Sequence, residues 1–334
     1  MKKISALLLL FLFSAMLIVS CGESKPKVDK IKIIASAKKI FSTLPKTMPG
    51  SENDTPERIA LGKKLYFDDR LSVNDEQSCN FCHALDDGGA GVDNNPVSTG
   101  AKGDDGTRNS PTVLNAGFHF VQFWDGRAKD LFEQAKGPIL NPVEMAMPDA
   151  KAVEDKIGAI DEYKEDFAKA FPEEKKVTFD NIAEAIAAFE RTLITKDRFD
   201  NFLQGNPAAL TDTEAEGLDI FIKKGCTTCH TGPLLGGNMY QKTGLYHAYK
   251  DTTDKGRFDL TKNVADMYIF KVPSLRNIAL TAPYFHDGQV ATLTEAVSEM
   301  SKMQLTEPLT KEEEKKVVTF LGSLSDKDIL KAQK

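Results

Sequence analysis

The sequence predicts an all-α protein built from two related domains. No segment of any length alternates between apolar and polar residues as a half-buried strand would. Two amphipathic helices are each followed by a Cys-x-x-Cys-His motif, and similar sequence blocks follow both motifs. Repetition of one unit is typical of an internally duplicated fold. We therefore expect an N-terminal domain over residues 51–204 and a C-terminal domain over residues 205–334.

Both motif helices have a recognisable start. The first begins at Thr55, a capping residue that is followed by proline at the first helical position. The second begins at Thr211 and has Glu214 three residues later, which makes a capping box. An apolar helix face over residues 182–193 lies between them, and the Gly-Asn-Pro break at 205–207 supplies the domain boundary.

The N-terminal residues predict export. Lys2 and Lys3 precede an uncharged apolar run over 6–20, which is short for a bilayer span of ~20 residues. The run ends at Cys21 in a pattern that resembles a bacterial lipobox. We expect residues 1–20 to be a lipoprotein signal peptide and Cys21 to be the acylated anchor of a periplasmic protein. An ordinary signal peptide or an uncleaved anchor stays open.

The residues after Cys21 and the net charge indicate where the protein is held and which partners it lacks. Residue 22 is glycine, and the lack of an aspartate after the anchor cysteine favours the outer membrane. Residues 21–50 are rich in Lys, Ser and Pro with little periodicity, which predicts a tether. The formal net charge of −6 argues against nucleic acid as a partner. Contact with a membrane is expected only through the lipid.

The two motifs predict covalent haem attachment. They comprise Cys79, Cys82 and His83 in the first half, and Cys226, Cys229 and His230 in the second. Two thiols at this spacing can add across the vinyl groups of one haem while the next histidine reaches the iron. Half of a zinc site, a redox dithiol and a disulfide are the alternatives. Zinc would leave the adjacent histidines unexplained, and neither pair has the preceding strand of a thioredoxin-like site. We expect two c-type haems.

The repeat continues beyond each motif. SPTVLN at 110–115 is echoed by VPSLRN at 272–277, and FWDG at 123–126 is echoed by FHDG at 285–288. Two copies of one unit, each with one haem motif, indicate two cytochrome c-type haem domains related by duplication.

These blocks resemble the bacterial di-haem cytochrome c peroxidases. The similar segments are RNSPT (108–112), FWDGR (123–127), QAKGP (134–138), VEM (143–145), DKGRF (254–258), LRNI (275–278) and LTAPYFH (280–286). The resemblance covers nearly everything from about residue 55 to 325. It implies reduction of hydrogen peroxide to water with electrons from a small cytochrome c or a cupredoxin.

The resemblance implies a different role for each haem. His83 would be the proximal ligand of the N-terminal haem, where peroxide is cleaved, and His230 that of the C-terminal haem, which accepts electrons. Met300 stands where the family has the second ligand of the C-terminal haem, and a thioether suits reduced iron. Met303, three residues later, is its rival.

The resemblance also implies the catalytic residues. Glu144 matches the acid–base glutamate, Gln134 its hydrogen-bonding partner, and Pro138 the same pocket wall. Peroxide cleavage needs a proton moved between the two oxygens, and the apolar residues around Glu144 predict a raised pKa. Trp124, the only tryptophan, matches the aromatic residue between the haems, with core packing as its alternative role.

A calcium ion between the domains is a further implication of the resemblance. Its protein ligands would be the Asn109 side chain and the backbone carbonyls of Thr281 and Pro283, with waters completing an oxygen shell.

One position departs from the family pattern. Many members cap the N-terminal haem with a histidine in the loop after the first motif, but Ala101 occupies that place and cannot ligate iron. We therefore predict an open N-terminal haem. His119 and Lys102 are the alternative ligands, and packing between aromatic residues is the competing interpretation of His119. His247 and His286 are assigned no iron.

Two other functions compete with peroxide reduction. A di-haem electron carrier would need neither Gln134 nor Glu144. A related enzyme oxidises a partner protein through high-valent haem, as the maturation enzyme of methylamine dehydrogenase does, and that relative has tyrosine in place of the methionine ligand. Met300 argues against the second alternative. The sequence leaves a monomer and a homodimer open.

Overall fold

The computed structural model describes residues 28–86 and 89–326, and this part of the chain is mostly helical. Its helices are α1 (Lys30–Ala37), α2 (Pro56–Tyr66), α3 (Cys79–Cys82), α4 (Leu131–Leu140), α5 (Ala150–Gly158), α6 (Asp161–Ala170), α7 (Phe179–Glu190), α8 (Arg198–Leu203), α9 (Asp212–Lys223), α10 (Phe258–Thr261), α11 (Leu293–Gln304) and α12 (Lys311–Gly322). Strands β1 (Tyr240–Lys242) and β2 (Ile269–Lys271) pair antiparallel, with Tyr240 opposite Lys271. The predicted all-α class is confirmed, with this short ladder as an addition.

The predicted helix starts are confirmed by their caps. The Thr55 hydroxyl accepts a hydrogen bond from Arg58 N at 3.2 Å, and proline stands at the first position of α2. At α9 the Thr211 side chain accepts from Glu214 N while the Glu214 carboxylate accepts from Thr211 N. These bonds satisfy backbone groups that a helix end otherwise leaves open.

A glycine lets two helices cross closely in each half. A Cβ on Gly62 of α2 would lie 1.7 Å from the Ala185 carbonyl oxygen of α7. A Cβ on Gly217 of α9 would lie 2.0 Å from the Lys316 carbonyl oxygen of α12. Both distances are impossible for any other residue, so α2 with α7 and α9 with α12 form the same packed pair in the two halves.

The backbone conformation also repeats between the halves. Asn115 and Asn277 have the same left-handed φ of 62°, and each begins a short 3₁₀ turn. The glycines of the second repeated block, Gly126 and Gly288, also have positive φ, at 71° and 62°. The same left-handed backbone at equivalent positions supports the predicted internal duplication.

Two domain bounds drawn from the sequence differ from the observed packing. Residues 21–50 were expected to be a tether, but α1 packs Ile33 and Ile34 into the second hydrophobic core. The Lys30 ammonium donates to the Leu210 carbonyl at 2.7 Å and strengthens this contact. Helix α8, placed by sequence in the first domain, contributes Phe199 to the second core as well. The cores therefore divide the chain before α8, ahead of the predicted boundary at residue 205.

Ion pairs and close turns join the two halves. The Arg108 guanidinium contacts both Asp254, at 2.6 and 2.9 Å, and Asp125, at 2.7 Å. The repeated-turn glycines each lie against the opposite half. A Cβ on Gly126 would be 2.0 Å from the Tyr240 hydroxyl, and one on Gly288 would be 2.2 Å from a carbonyl oxygen at residue 96.

Within the described ranges, none of the helices has the length and apolar character needed to cross a membrane.

Candidate haem sites and active site

The first Cys-x-x-Cys-His motif forms helix α3 and the residue that follows it. Cys79 and Cys82 are half-buried, and neither is in a disulfide. Burial raises the pKa of the Cys82 thiol to about 11 and raises that of Cys79 further. Burial therefore disfavours the thiolate form of both residues near neutral pH. A reactive dithiol and a disulfide are not favoured, whereas thioether attachment fits.

His83 follows α3 and is held by its backbone. The Tyr66 hydroxyl donates to the His83 carbonyl at 2.6 Å. Burial lowers the pKa of the imidazole, which keeps it neutral, the state that binds a metal ion. Within the residues described, its buried Nδ1 makes no hydrogen bond. A buried, neutral imidazole directly after two unbonded thiols is the donor set of a c-type haem site. These residues fit a haem.

The second motif faces a cavity of about 350 Å³. Its walls include Cys226, Cys229, His230 and Met300. The His230 Nδ1 lies 2.8 Å from the Leu235 carbonyl oxygen, which can only accept, so Nδ1 carries the proton. Nε2 then keeps its lone pair, as in a histidine oriented for a metal by a backbone carbonyl. The residues fit a second haem.

The structure separates Met300 from its rival. Met300 lies on α11 and lines the same cavity as His230. Met303 is 2% exposed, and it is not among the described residues that line the cavity. The position on the wall fits Met300, and not Met303, for the role of a second ligand.

Glu144 lies close to the first motif. Residues 141–147 turn back along α4, with hydrogen bonds from Met145 N to the Pro138 carbonyl at 3.1 Å and from Glu144 N to the Asn141 carbonyl at 3.0 Å. The Asn141 amide donates to the Glu144 carboxylate at 2.7 Å. Burial raises the pKa of Glu144, while Arg127 and Asn141 partly oppose the shift. The carboxylate also contributes to the raised pKa of Cys82, which indicates their proximity.

The raised pKa predicted for Glu144 is confirmed, with burial as its main cause. Gln134 and Pro138 lie on α4, the helix along which the segment of Glu144 folds back. The structure thus brings the predicted pocket residues onto one helix and its return segment. Such an arrangement can position a proton-transfer group on rigid backbone.

Trp124 lies between the halves. Its Nε1 donates to the Asn109 carbonyl at 2.9 Å, and its own carbonyl accepts from Lys271 N at 2.8 Å. Its ring lies edge-on to His286, with 6.3 Å between ring centroids. It also lines the cavity of the second motif. Trp124 therefore both packs against neighbouring residues and lies beside the cavity of the second motif.

The three residues predicted to bind calcium share one wall of the cavity. Asn109, Thr281 and Pro283 all line it. The Asn109 amide nitrogen donates to the carbonyls of Asn95, at 2.9 Å, and residue 96, at 3.2 Å, which leaves Oδ1 as the accepting end of the side chain. The carboxamide oxygen and neighbouring carbonyls are the hard oxygen donors that calcium prefers.

The loop that carries Ala101 is bonded to the segment of Glu144. Ala101 N donates to the Glu144 carbonyl at 2.7 Å, and Asn74 donates to the Ala101 carbonyl at 2.8 Å. A Cβ on Gly100 would lie 1.9 Å from the Val143 carbonyl oxygen, so the two backbones touch. His119, an alternative ligand for the first haem, lines the cavity of the second motif instead.

Arg127 and Lys271 were not singled out from the sequence. Arg127 stacks on the Phe123 ring, with its guanidinium 3.5 Å from the centroid, and lowers the pKa of Glu144. Lys271 is 4% exposed and lies 3.0 Å from the His119 ring nitrogen. The block that contains Arg127 resembles the family, and this resemblance was the one sequence signal that could have identified Arg127 as a functional residue. Lys271 lies in a strand of only three residues, and nothing in the sequence indicates that it is buried.

Comparisons with known proteins agree with this geometry. A family model described as di-haem cytochrome c peroxidase matches residues 56–208. The chain is 46% identical over 319 residues to cytochrome c551 peroxidase of Pseudomonas aeruginosa, covering 93% of this chain and 91% of that protein. It is 48% identical over 276 residues to cytochrome c551 peroxidase of Nitrosomonas europaea, covering 81% of each chain.

A solved structure is similar over the same extent. The crystal structure of a MauG-like protein associated with microbial copper homeostasis is 32% identical, with a TM-score of 0.77, and the match covers 86% of this chain and 95% of that one. The family is di-haem, in agreement with the two motifs and their fit to haem. The fold, the paired haem motifs and these identities show that the chain belongs to the di-haem cytochrome c peroxidase family, oxidoreductases that act on peroxide.

Proposed function

We propose that the chain reduces hydrogen peroxide to water with electrons from a small cytochrome c or a cupredoxin. The haem held at the second motif would accept the electrons, and the haem held at the first would be the place of peroxide cleavage. The observation that carries the proposal is the Glu144 carboxylate, which is held by Asn141 close to Cys82 and has a raised pKa. An electron carrier has no need of a proton-transfer group at that place.

When bound, haem supplies a redox-active iron and, at the first motif, an open coordination position. Cys79 and Cys82 would hold that haem through thioethers, and His83 would bind its iron. Conversion of one peroxide into two waters consumes two electrons and two protons. Glu144 would take a proton from one oxygen of the peroxide and deliver it to the other, so that the leaving oxygen departs as water and not as hydroxide. Gln134 orients the peroxide by hydrogen bonding.

Cys226 and Cys229 would hold the second haem, and His230 and Met300 would be the residues that bind its iron. A thioether and a neutral imidazole suit reduced iron, so these residues would favour acceptance of electrons from the donor protein. Trp124, between the halves and beside this cavity, lies on the route toward the first haem. Calcium at Asn109, Thr281 and Pro283 fixes the contact between the halves beside Trp124.

The proposed location is the periplasm, with a lipid on Cys21 holding the protein to the outer membrane. Cys21 and the signal peptide lie outside the described residues, so this proposal rests on the sequence pattern alone. A location outside the cytoplasmic membrane agrees with covalent haem attachment and with electron donation by a small cytochrome c or a cupredoxin.

The test combines mass spectrometry with a steady-state assay. The exported protein should carry two haem masses that survive denaturation, and it should oxidise reduced cytochrome c or cupredoxin only when peroxide is present. A protein with two haems that exchanges electrons with these donors but does not consume peroxide would be the electron carrier instead. A single haem mass would contradict the assignment of both motifs.

A further inference from the structure

His119 and Lys271 form a buried pair that joins the two halves of the molecule. His119 follows the 3₁₀ turn at Ala116–Phe118 of the first half, and Lys271 is the last residue of β2 in the second. The Lys271 Nζ lies 3.0 Å from the His119 Nδ1. When Lys271 is protonated its ammonium group can only donate, and in that state Nδ1 accepts and Nε2 carries the ring proton.

Both side chains are fixed at the wall of the cavity that contains His230 and Met300. The Lys271 backbone is anchored by the bond from its N to the Trp124 carbonyl, at 2.8 Å. The His119 ring is confined by Gly237, where a Cβ would lie 2.5 Å from the ring carbon Cδ2. The pair therefore has little freedom to turn toward solvent.

The charge of Lys271 is not balanced by the protein around it. Among the described residues no carboxylate forms an ion pair with its Nζ. Asp125 is the acidic group that acts on it, and Asp125 already accepts from Arg108 and Arg127. Burial accordingly lowers the pKa of Lys271 to about 7. The His119 Nε2 is also buried and, within the part of the chain described, makes no hydrogen bond.

Two buried donors at one cavity wall call for an anion in the cavity. A buried cation is costly unless it is paired, and a buried N–H without an acceptor is costly as well. The periphery of haem carries two propionate carboxylates, and these are the anionic groups that side chains at a cavity wall can reach. A carboxylate accepts from an ammonium and from an imidazole N–H in short, strong bonds. Lys271 and His119 therefore match the propionates of the haem that the second motif would attach.

We propose that Lys271 and His119 bind a propionate of the haem at the second motif and thereby raise the reduction potential of that haem. The inference rests on the proposed assignment of a haem to Cys226 and Cys229. A fixed positive charge near the haem favours the reduced iron, which carries one positive charge fewer, so the pair helps this haem to accept electrons. Lys271 and His119 are positioning residues, since neither contacts peroxide.

The test is a redox titration of the full two-haem protein followed by visible absorption. In Lys271→Met the reduction equilibrium of the second haem should fall by at least tenfold, which is about 59 mV for a one-electron couple. Lys271→Arg keeps the charge and should stay near wild type. Lys242→Met is the matched control, because it removes one charge from the exposed side of the same two-stranded ladder. The first haem serves as an internal reference.

Equal potentials in Lys271→Met and wild type, with both haems attached, would overturn this inference and leave the proposed function intact. A mass that lacks the haem at Cys226 and Cys229 would instead contradict the proposed function. If Lys271→Met does not fold, resonance Raman spectra of the unaltered protein in water and in deuterium oxide decide. A propionate bending band that shifts on exchange supports the bond to Lys271 and His119, and bands that do not shift refute it.

Discussion

Asn115 and Asn277, which occupy equivalent positions in the two copies of the repeat, donate to the same hydroxyl group. Their side-chain amides lie 2.8 and 3.3 Å from the Thr195 Oγ1, and all three residues are buried. Thr195 N in turn donates to the Asn115 Oδ1 at 2.9 Å. The segment between the two cores thus carries a single polar centre on which both copies converge.

Replacement of this hydroxyl should destabilise the fold. Thr195→Val keeps the shape of the side chain but leaves two buried amide groups without an acceptor, at about 1–3 kcal/mol for each. We expect the free energy of unfolding of the holoprotein to fall by about 2–4 kcal/mol in denaturant titrations. Thr192→Val is the control, since Thr192 is exposed and should change stability by less than about 0.5 kcal/mol. Equal midpoints for both variants would contradict the role of Thr195.

Glu144 should matter for turnover and not for haem retention. In Glu144→Ala we expect kcat to fall on the order of a hundredfold or more, the usual contribution of a positioned acid–base group. The absorption spectrum and the two haem masses should stay as in wild type. Glu133→Ala, on the neighbouring helix α4, removes a more exposed carboxylate and should leave kcat unchanged. A Glu144→Ala variant with near-normal turnover would remove the residue from the mechanism.

Arg127 should set the pH at which Glu144 works. Burial raises the pKa of Glu144 and the guanidinium of Arg127 opposes that shift. If the carboxylate is the active form, kcat falls as the pH drops through this pKa. Loss of the guanidinium raises the pKa further, so in Arg127→Met the acid limb of the pH–rate profile should move to higher pH. Lys129→Met, which removes a more exposed charge nearby, should not move it.

Ala101 should leave the first haem open in the resting enzyme. We expect a high-spin or water-bound ferric signal in paramagnetic resonance, and reaction with peroxide without prior reduction. Ala101→His places an imidazole in a loop bonded to Glu144, and it should convert the signal to low spin. Ala101→Gln, which cannot ligate iron strongly, is the control. A wild-type protein with only low-spin signals and activity solely after reduction would falsify the open-haem prediction.

Glu190 should make stability depend on pH. Burial raises its pKa to about 8, against an ordinary value of 4.5. Between these values the folded chain keeps a proton that the unfolded chain releases, so stability falls as the pH rises from about 4.5 to 8. Glu190→Gln removes the titration. Its stability relative to wild type should therefore increase over this pH range, as measured by denaturant unfolding at several pH values. A constant difference would contradict a raised pKa.

Local signals in the sequence located the elements that depend on local chemistry. Thr55 and Thr211 cap helices through bonds to residues three positions away, and such bonds can be inferred from residue type and spacing. The apolar segment around Glu144 was enough to anticipate its raised pKa. The haem motifs needed no tertiary information at all.

Features that depend on distant contacts were missed for a physical reason. Helix α1 has eight residues, too few turns to show a clear period, and it is stabilised by packing on the second core. The strands β1 and β2 have three residues each and gain their order from each other. The pair of His119 and Lys271 joins residues from different halves, and no local sequence pattern predicts it.

The position of α1 affects the order in which the two hydrophobic cores form. The first core extends from Leu61 to Leu193 and contains no residue of α1 or α12. The second core unites Ile33 with Leu324 and can close only when both segments are present. Contacts among residues 61–193 can therefore form the first core by themselves, whereas Ile33 and Ile34 of α1 stay exposed until the C-terminal segment packs with them. Contacts between such distant segments form slowly, so docking of α1 is the late step of folding.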